Sequence, residues 1–580
     1  MTDLKERELI RKAKQGDMLA FEELILKHEK IVYNVAFRMM NHSEDAKDLS
    51  QEVFLKAYKN LEKFDERSSF STWLYRITTN TCIDEMRKRK GKQSYSLEEE
   101  LENEEGSMQR QIADEGDTPE ESLLRLKEAA KDLNAYRITM KLDDEKHTLA
   151  ITEEIDFLNR TGQPLNDVQL RLFPNAYATE ETSPAATEEL FDLCYENGFS
   201  PGYVTLHDVK WNGDRAEHQY LDAENTVLSV SVPEMKNGEG GTLFLRCVVQ
   251  LPPCAHRTGY REGTYLLGQV IPTLSVFENG AWRQDPVSPI GDPFYTECAN
   301  YSLSLHMPAG YVPACSFFLH QDKENVWQGS GLALRDMGLC VSNAYETAAG
   351  SLDGIQIRSY AKSGANAAQA VACAQKALRT YQTLYGPYPF PSFTVAAAPF
   401  APGAMEYSGM AVIDESYFLK SRWDTLELFI AHEGAHQWFY ALVGSDPILN
   451  PWQDEALCEY ALLRYTEKNY GRSAWENLRF FRVDSPMQER IPGGLTPASP
   501  IDYFSTLSDY KAIVYGRGAA LLIALDTFLP EGTDAFLHHY VQQFAFRTAS
   551  RTEFEQCLNA WAGQDLSPLV QDYLDTKMME

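Results

Sequence analysis

The sequence is poor in cysteine and has no apolar run long enough to cross a membrane. Its ten cysteines form no CxxC pair, and they are too sparse for a disulfide-stabilised secreted domain. The most apolar stretch, residues 518–525, ends at Asp526, far short of the roughly 20 apolar residues that a membrane helix needs. The start, MTDLKERELIRK, lacks the apolar segment of a signal peptide. We expect a cytoplasmic protein without a membrane span, whose cysteines are mostly buried and reduced.

The composition of a disordered or fibrous chain is also lacking. The sequence is 44% hydrophobic and 12% aromatic, which is enough apolar material for several packed cores. Its 580 residues predict several domains, because a single domain usually has about 100–200 residues. We therefore expect a globular, multidomain protein.

Basic residues are scarce relative to acidic ones, but unevenly along the chain. The sequence has 84 acidic and 54 basic side chains, a net charge of −30. Residues 1–92 nevertheless carry +3, whereas residues 98–121 carry −10, which leaves −23 for the rest. This acidity excludes nucleic-acid binding by most of the chain, but not by its N-terminal segment.

Proline is absent before Pro119, and residues 1–95 contain only two glycines. Apolar residues recur there every three or four positions, for example in AFEELILKHEKIVYNVAFRMM. This pattern predicts an all-α helical bundle over residues 1–95. Residues 96–134 predict an acidic linker that ends in a short helix.

From residue 135 the apolar pattern changes from helical to alternating. Segments such as YRITMKLDDEKHTLAITEEIDFLN and GTLFLRCVVQLP predict strands, so we expect a β domain over residues 135–305. Helical patterns return after about residue 320, notably in WDTLELFIAHEGAHQWFYALVG, and predict a further domain over residues 306–580. The predicted fold class is multidomain α+β.

The strongest motif is an HExxH pentapeptide that runs from His432 to His436 within a predicted helix. Histidines four positions apart lie on one helix face, so two imidazoles can reach one metal ion. Glu433 lies elsewhere around the helix and is suited to act as general base toward a water molecule that zinc acidifies. The alternative is an amphipathic helix whose two histidines are merely hydrogen-bonded.

A third ligand candidate, Glu455, stands nineteen positions after His436 in another helical pattern. Two histidines and one glutamate leave one position of a tetrahedral zinc site open, as catalytic sites require. The neighbouring Asp454 and Glu459 either orient the imidazoles as hydrogen-bond acceptors or are carboxylates on a solvated face. We predict one zinc ion per chain, held by His432, His436 and Glu455.

In these motifs the sequence resembles the gluzincin aminopeptidases of the membrane alanyl aminopeptidase family. That family has HExxH followed after eighteen residues by glutamate, which is the spacing found here. Its GxMEN motif has a counterpart in Gly403, Ala404, Met405 and Glu406, with Tyr407 in place of asparagine. The resemblance implies that these four residues bind substrate and that Glu406 binds the α-ammonium group, so that only peptides with a free N-terminus are cleaved.

The segment VYGRGAALL resembles a third motif of the family, with Arg517 where lysine is common. The resemblance implies that the hydroxyl of Tyr515 stabilises the tetrahedral oxyanion. The resemblance to these aminopeptidases extends over residues 135–580. It implies a β-sandwich-like domain followed by a thermolysin-like α/β zinc peptidase domain.

The first 95 residues resemble region 2 of the extracytoplasmic-function sigma factors. The similarity is carried by KQGDMLAFEELILKHEKIVYNVAFRMM and by HSEDAKDLSQEVFLKAYKNLEKFDERSSFSTWLYRITTNTCIDEMRKRK. In that family the helix spelled here DAKDLSQEVFLKAY docks on core RNA polymerase, and the following segment opens and reads the promoter −10 element. The resemblance implies binding to polymerase and promoter DNA, with DNA contacts from Phe70, Trp73, Arg76, Asn80, Arg87 and Lys88.

Such contacts are chemically reasonable, because aromatic rings stack on unpaired bases and basic side chains meet phosphates. The residues also have ordinary structural explanations. At this spacing Phe70 and Trp73 are typical of a helix-bundle core, and the basic run at 87–92 is typical of a solvated helix end.

The sequence thus predicts a zinc-dependent aminopeptidase that removes N-terminal residues from peptides, fused to a sigma-factor module. The strand-like pattern begins where a complete sigma factor has region 4, so region 4 is missing here. An alternative function must therefore be considered. In this alternative the protein is primarily a transcription initiation factor, or a competitor of sigma factors, and the peptidase part is a sensor or a passenger.

Overall fold

The computed structural model describes residues 119–488 and 494–576. Before them it describes residues 43–61 and shorter helical pieces at 9–14, 20–21, 24–25, 27–29, 32–33, 74, 77–78 and 81. The chain divides into two compact units, Met1–Ala113 and Asp114–Glu580. None of the described helices is both long and apolar enough to span a lipid bilayer.

The N-terminal unit contains the helix Ser43–Asn60. Its residues Leu49, Val53 and Ala57 are buried at four-residue spacing, which places one apolar face of the helix in the core. That core also contains Ile10, Phe21, Leu24, Val32 and Leu74. The six predicted DNA-contacting residues, Phe70, Trp73, Arg76, Asn80, Arg87 and Lys88, lie outside the described residues.

The helix Pro119–Ala130 belongs to the second unit. Leu126 and Ala130, four positions apart, are buried in the same core as the following strands. Asn300 donates a hydrogen bond to the carbonyl oxygen of Ala130 at 2.8 Å, which fixes the end of the helix to the sheet. The predicted short helix after the acidic stretch is therefore a packed element of the second unit.

An eight-stranded sheet follows from the alternating sequence pattern. In Ala135–Asp143 every second side chain is buried, as expected of a strand with one face in a core. This strand pairs in parallel with Ala299–His306 and antiparallel with Thr148–Leu158. In spatial order the strands are Leu319–Lys323, Val326–Leu334, Ala299–His306, Ala135–Asp143, Thr148–Leu158, Gly240–Gln250, Tyr203–Trp211 and Asp214–Arg215.

Two four-stranded sheets share hydrophobic cores with their neighbours. One contains Thr273–Leu274, Leu165–Arg171, Val227–Met235 and His218–Tyr220, and the other contains Val312–Cys315, Leu339–Ser342, Thr264–Leu267 and Thr258–Arg261. The predicted domain boundary at residues 305 and 306 stays a prediction. The eight-stranded sheet itself continues beyond it, to Leu334.

A five-stranded mixed sheet begins the C-terminal part. Its order is Glu346–Leu352, Ile355–Ala361, Ser392–Ala398, Met410–Asp414 and Ala404–Tyr407. The strand Ala404–Tyr407, here called the substrate strand, pairs antiparallel with Met410–Asp414 and lies at the edge of the sheet. Its outer edge therefore has main-chain groups free of strand pairing within the sheet.

The helices that follow complete the C-terminal part. They are Gly364–Tyr385, Trp423–Ala435, Trp452–Tyr470, Arg472–Arg479, Leu507–Tyr510, Gly518–Leu525, Gly532–Phe544, Arg551–Ala562 and Ser567–Leu574. Wider π-helical turns occur at Gln437–Leu442, Phe480–Asp484 and Lys511–Arg517. The predicted multidomain α+β class is confirmed.

Candidate zinc and substrate site

The HExxH motif ends the helix Trp423–Ala435 and lies in the interior of the protein. Leu426 and Ile430 are fully buried, and so is the rest of the helix from Ala431 onward. Tyr381 of the neighbouring helix donates a hydrogen bond to the carbonyl oxygen of Ala431 at 2.8 Å. This packing fixes His432 and His436 one turn apart on a single face.

Three side-chain atoms converge in front of this face. The Nε2 atoms of His432 and His436 are 3.3 Å apart, and they lie 3.4 Å and 3.5 Å from one carboxylate oxygen of Glu455. All three residues are buried. Glu455 is in the first turn of the helix Trp452–Tyr470, so two helices supply the three atoms.

Two further carboxylates lie close to the Nδ1 atoms of the two imidazoles. Asp454 lies 2.7 Å from Nδ1 of His436, and Glu459 lies 3.5 Å from Nδ1 of His432. Arg482 donates to both oxygens of Glu459, at 2.7 and 2.8 Å. Burial by itself raises the pKa of Glu459, but Arg482 and His432 lower it to about 2. Both carboxylates are therefore buried partners of the histidines and not carboxylates on a solvated face.

This donor set fits zinc. Two imidazole nitrogens and one carboxylate oxygen are typical ligands of a catalytic zinc ion. Hydrogen bonds from Nδ1 to a carboxylate are also typical, since they fix the ring and leave Nε2 for the metal. His432, His436 and Glu455 are the residues that would hold the ion.

A cavity of about 80 Å³ opens in front of the three converging atoms. Glu433 and Tyr515, the two predicted catalytic residues, both line it. Burial raises the pKa of Glu433 to about 7. The ring of Tyr515 stacks on that of His432, and burial raises the pKa of its hydroxyl well above the ordinary value, so the hydroxyl keeps its proton.

The substrate strand forms another side of the cavity. Because side chains alternate along a strand, Ala404 and Glu406 line the cavity, whereas Met405 and Tyr407 are buried on the other face. One oxygen of Glu406 has no hydrogen-bond partner among the described residues. A carboxylate oxygen of Glu406 lies within 4.8 Å of Glu433 and His436. Gly403 precedes the strand with a φ of +115°, a conformation that favours glycine.

Tyr407, which replaces the asparagine of the family motif, does not line the cavity. Its ring lies against Gly338 and its hydroxyl against Gly268, where an added Cβ atom would lie within 2.6 Å and 2.0 Å of the tyrosine. The two glycines thus make room for the larger side chain.

Several cavity residues escape sequence reasoning because they come from the β-rich segment. Arg257 is buried and paired with Asp292, and it also donates to the carbonyl oxygen of Gly291 at 3.0 Å. Both side chains line the cavity, as does Tyr510, whose ring packs edge-on against Tyr515. Nothing in their local sequence marks Arg257 or Asp292, since only long-range folding brings them to the zinc helices.

The structure also locates Arg517 and most of the cysteines. Arg517 donates to the carbonyl oxygen of Asp572 at 3.1 Å and does not line the cavity. The nine cysteines in the described part of the chain are all buried and free, as predicted, and Cys82 lies outside that part.

Comparison with known proteins agrees with this geometry. The profile of the Peptidase family M1 domain matches residues 369–573, and that of Sigma-70 region 2 matches residues 24–92. The chain thus has a Sigma-70 region 2 in its N-terminal part and a Peptidase family M1 domain in its C-terminal part. The M1 match contains the candidate zinc ligands His432, His436 and Glu455, and the sigma match lies in the N-terminal segment.

Individual relatives divide in the same way. Aminopeptidase N of Lactobacillus helveticus is 27% identical over 411 residues, covering 64% of this chain and 46% of that protein. Aminopeptidase M1 of Arabidopsis thaliana is 27% identical over 245 residues and is covered over 27% of its length. The chain thus spans less than half of either aminopeptidase. The ECF RNA polymerase sigma factor SigW of Bacillus subtilis is 35% identical over 160 residues, which cover 27% of this chain and 83% of SigW.

Among solved structures, the M1 zinc metallopeptidase of Deinococcus radiodurans matches with a TM-score of 0.56. It is 18% identical, and the match covers 76% of this chain and 94% of that one. The M1 part of the chain therefore has the fold of this metallopeptidase.

Proposed function

We propose that the M1 part of this chain is a zinc-dependent aminopeptidase that removes N-terminal residues from peptides. The observation that carries the proposal is the convergence of His432, His436 and Glu455 beside the buried carboxylate of Glu406. A zinc ligand set alone fits many hydrolases. A carboxylate next to it selects substrates with a cationic N-terminus.

Substrate binding is shared between a carboxylate pair and the strand. Glu406 and Asp292 would face the α-ammonium group, and the free edge of the substrate strand would pair with the extended peptide backbone. Arg257, paired with Asp292, fixes that carboxylate in place. A peptide with a blocked N-terminus would leave the buried carboxylate of Glu406 without a cation, which is costly.

The chemical step then uses Glu433 and Tyr515. Zinc in the site would supply Lewis acidity, polarising the scissile carbonyl and acidifying water. Glu433 accepts the proton of the attacking water and passes it to the leaving amine. Tyr515 donates its hydroxyl hydrogen bond to the oxyanion that forms.

The test is hydrolysis of an aminoacyl p-nitroanilide by the purified, zinc-loaded protein. We expect release of chromophore, loss of activity with a chelator, and no cleavage of the N-acetylated substrate. Glu433→Gln is expected to lower kcat by at least about 100-fold. Asp424→Asn is a matched control, because Asp424 is an exposed carboxylate on the same helix. A Glu433→Gln protein as active as the parent would refute the mechanism.

For the N-terminal unit we propose binding to core RNA polymerase and promoter −10 DNA through residues 1–95, and with it a cytoplasmic location. The match of residues 24–92 to Sigma-70 region 2 supports this function. It is compatible with the peptidase, since the two use different segments. In the alternative the chain is primarily an initiation factor or a competitor of sigma factors.

Two measurements distinguish these possibilities. The full chain, but not a version without residues 1–95, is expected to be retained by immobilised core polymerase. Transcription in vitro from a promoter with an extended −10 element would then support initiation. Inhibition of a full-length sigma factor without a transcript would instead support competition.

A further inference from the structure

The turn that follows the substrate strand is hydrogen-bonded to the side chain of Gln437. This residue directly follows His436 and is fully buried. Its Nε2 donates to the carbonyl oxygen of Tyr407 at 3.1 Å, and its Oε1 accepts from the amide of Gly409 at 2.7 Å. Both ends of the turn between the substrate strand and its neighbour are thereby bonded to the residue after His436, at the start of the π-helical turn Gln437–Leu442.

The substrate strand is paired on one side only, and its turn is held both by Gln437 and by Asp336, which accepts from the amide of Ser408 at 2.8 Å. Met410–Asp414 is its single neighbour in the sheet. Gly409, in the turn, has a φ of +73°, and a Cβ atom there would lie 2.5 Å from the carbonyl oxygen of Ser316. The turn is therefore tightly enclosed, and its position is transmitted to Glu406, one residue before Tyr407.

Acidic neighbours surround Glu406 in this buried site. Its carboxyl group lies within 4.8 Å of that of Glu433, and Asp292 is a further acidic neighbour. Burial and these neighbours raise the pKa of Glu406, so an ammonium group must lie in a fixed position close to the carboxyl group to stabilise its charged form. Two buried hydrogen bonds from the neutral amide of Gln437 hold the backbone next to Glu406 without adding charge.

We propose that Gln437 is a positioning residue, which holds Glu406 at the distance from the zinc site that a free α-amine requires. The proposal rests on the aminopeptidase function given above. In this role Gln437 touches no substrate. It acts through the backbone of Tyr407 and Gly409, and its loss weakens recognition of the amine while leaving the zinc ligands in place.

The experiment compares two ligands that differ only in the amine. Leucine hydroxamate and its des-amino analogue, 4-methylpentanohydroxamic acid, both chelate zinc, but only the first presents an ammonium group. We would measure their dissociation constants with the zinc-loaded full chain by calorimetry. The parent is expected to prefer the amine-bearing ligand. Gln437→Met keeps the size of the side chain without its hydrogen bonds, and should reduce that preference about tenfold or more. Its zinc content and its affinity for the des-amino ligand should be unchanged.

Gln453→Met is the matched control. Gln453 is also a buried glutamine next to a zinc ligand candidate, but it donates to Tyr540 and to the carbonyl oxygen of Ala549, away from the substrate strand. It should lose stability to a similar extent and keep the preference. If Gln437→Met does not fold, Gln437→Glu keeps the acceptor for Gly409 and loses the donor to Tyr407, so it should show a smaller loss of preference.

The possible results distinguish failure of the positioning role from failure of the aminopeptidase proposal. An unchanged preference in the folded variants overturns the positioning role and leaves the aminopeptidase proposal intact. Equal loss of both ligands overturns it as well, because Gln437 would then support the zinc site as a whole. If the parent binds neither hydroxamate or binds both equally, the aminopeptidase proposal fails and this inference fails with it.

Discussion

The cavity has two sides that are built in different ways. The helical side consists of His432, Glu433, His436, Glu455 and Tyr515, which come from three helical segments. The other side, here called the recognition side, consists of Arg257, Asp292 and Glu406, which come from two loops or strand ends and from the sheet edge. Under the proposed function, the helical side would supply the groups for bond cleavage, and the recognition side would supply the groups that face the ammonium end of a substrate.

Their support differs too. On the helical side Asp454 lies 2.7 Å from Nδ1 of His436 and Glu459 lies 3.5 Å from Nδ1 of His432, and Arg482 donates to Glu459. On the recognition side Glu406 has an oxygen without a described partner, and its position depends on a backbone turn. Changes on the helical side should therefore affect kcat or zinc affinity, whereas changes on the recognition side should affect KM.

The largest expected effect is that of Tyr515→Phe on the helical side. Removing one donor to an oxyanion costs about 10²–10³ in kcat. KM and zinc content should change little, because the ring still stacks on His432. The measurement is steady-state hydrolysis of an aminoacyl anilide.

Tyr510→Phe is the control for that change, since Tyr510 lines the same cavity with its ring centroid 5.8 Å from that of Tyr515. It should keep kcat within a few-fold of the parent. Equal losses in the two variants would contradict a specific role for Tyr515.

A smaller effect is expected for Glu459→Gln, which acts on zinc affinity. Loss of a carboxylate behind a metal-binding histidine typically weakens metal binding about 10–100-fold. The dissociation constant for zinc can be measured by competition with a chelating dye. Glu467→Gln serves as control. Glu467 lies on the same helix as Glu459 and is paired with Arg464 and Arg472, but it contacts neither imidazole. Unchanged zinc affinity in Glu459→Gln would mean that the carboxylate supports folding only.

The helical side could be predicted from sequence, and the recognition side only in part. HExxH and Glu455 are found because helical spacing converts directly into geometry. Glu406 and Tyr515 are found only through a family motif. Asp292 and Arg257 have no such signal, because they meet the zinc helices through contacts between residues far apart in sequence. The fold class follows from the change of apolar period near residue 135, whereas the strand order does not, since the parallel pairing of residues 135–143 with 299–306 spans more than 150 residues.

On the recognition side, Asp292→Asn tests the second carboxylate. Removing one charged partner of an ammonium group is expected to raise KM for aminoacyl substrates about tenfold, with kcat nearly unchanged. Asp285→Asn is the control, because Asp285 is also paired with an arginine, Arg283, but lies outside the cavity lining. A drop in kcat at constant KM would place Asp292 with the chemical groups instead, and would remove the distinction between the two sides.

The last comparison concerns Glu153, a buried carboxyl group in the β-rich part of the chain. It is fully buried in the strand Thr148–Leu158, and neither oxygen has a hydrogen-bond partner among the described residues. Burial raises its pKa well above the ordinary value of 4.5, the opposite of the direction seen for Glu459. Two equally buried carboxyl groups thus have pKa shifts in opposite directions, because Glu459 has the cationic partner Arg482 and Glu153 has none among the described residues.

A raised pKa means that the folded protein keeps this proton while the unfolded chain releases it above about pH 4.5. The contribution of Glu153 to stability is therefore full at low pH and falls as the pH rises, by about 1.4 kcal/mol per pH unit up to the folded-state pKa. Glu153→Gln removes that dependence. The variant should unfold at about the same denaturant concentration as the parent near pH 4 and at a higher one near pH 7. Glu154→Gln, next to it on the exposed face and paired with Arg137, should shift the midpoint little at either pH, because exposed ion pairs contribute little. A stability difference between Glu153→Gln and the parent that does not grow with pH would show that Glu153 is ionised in the fold.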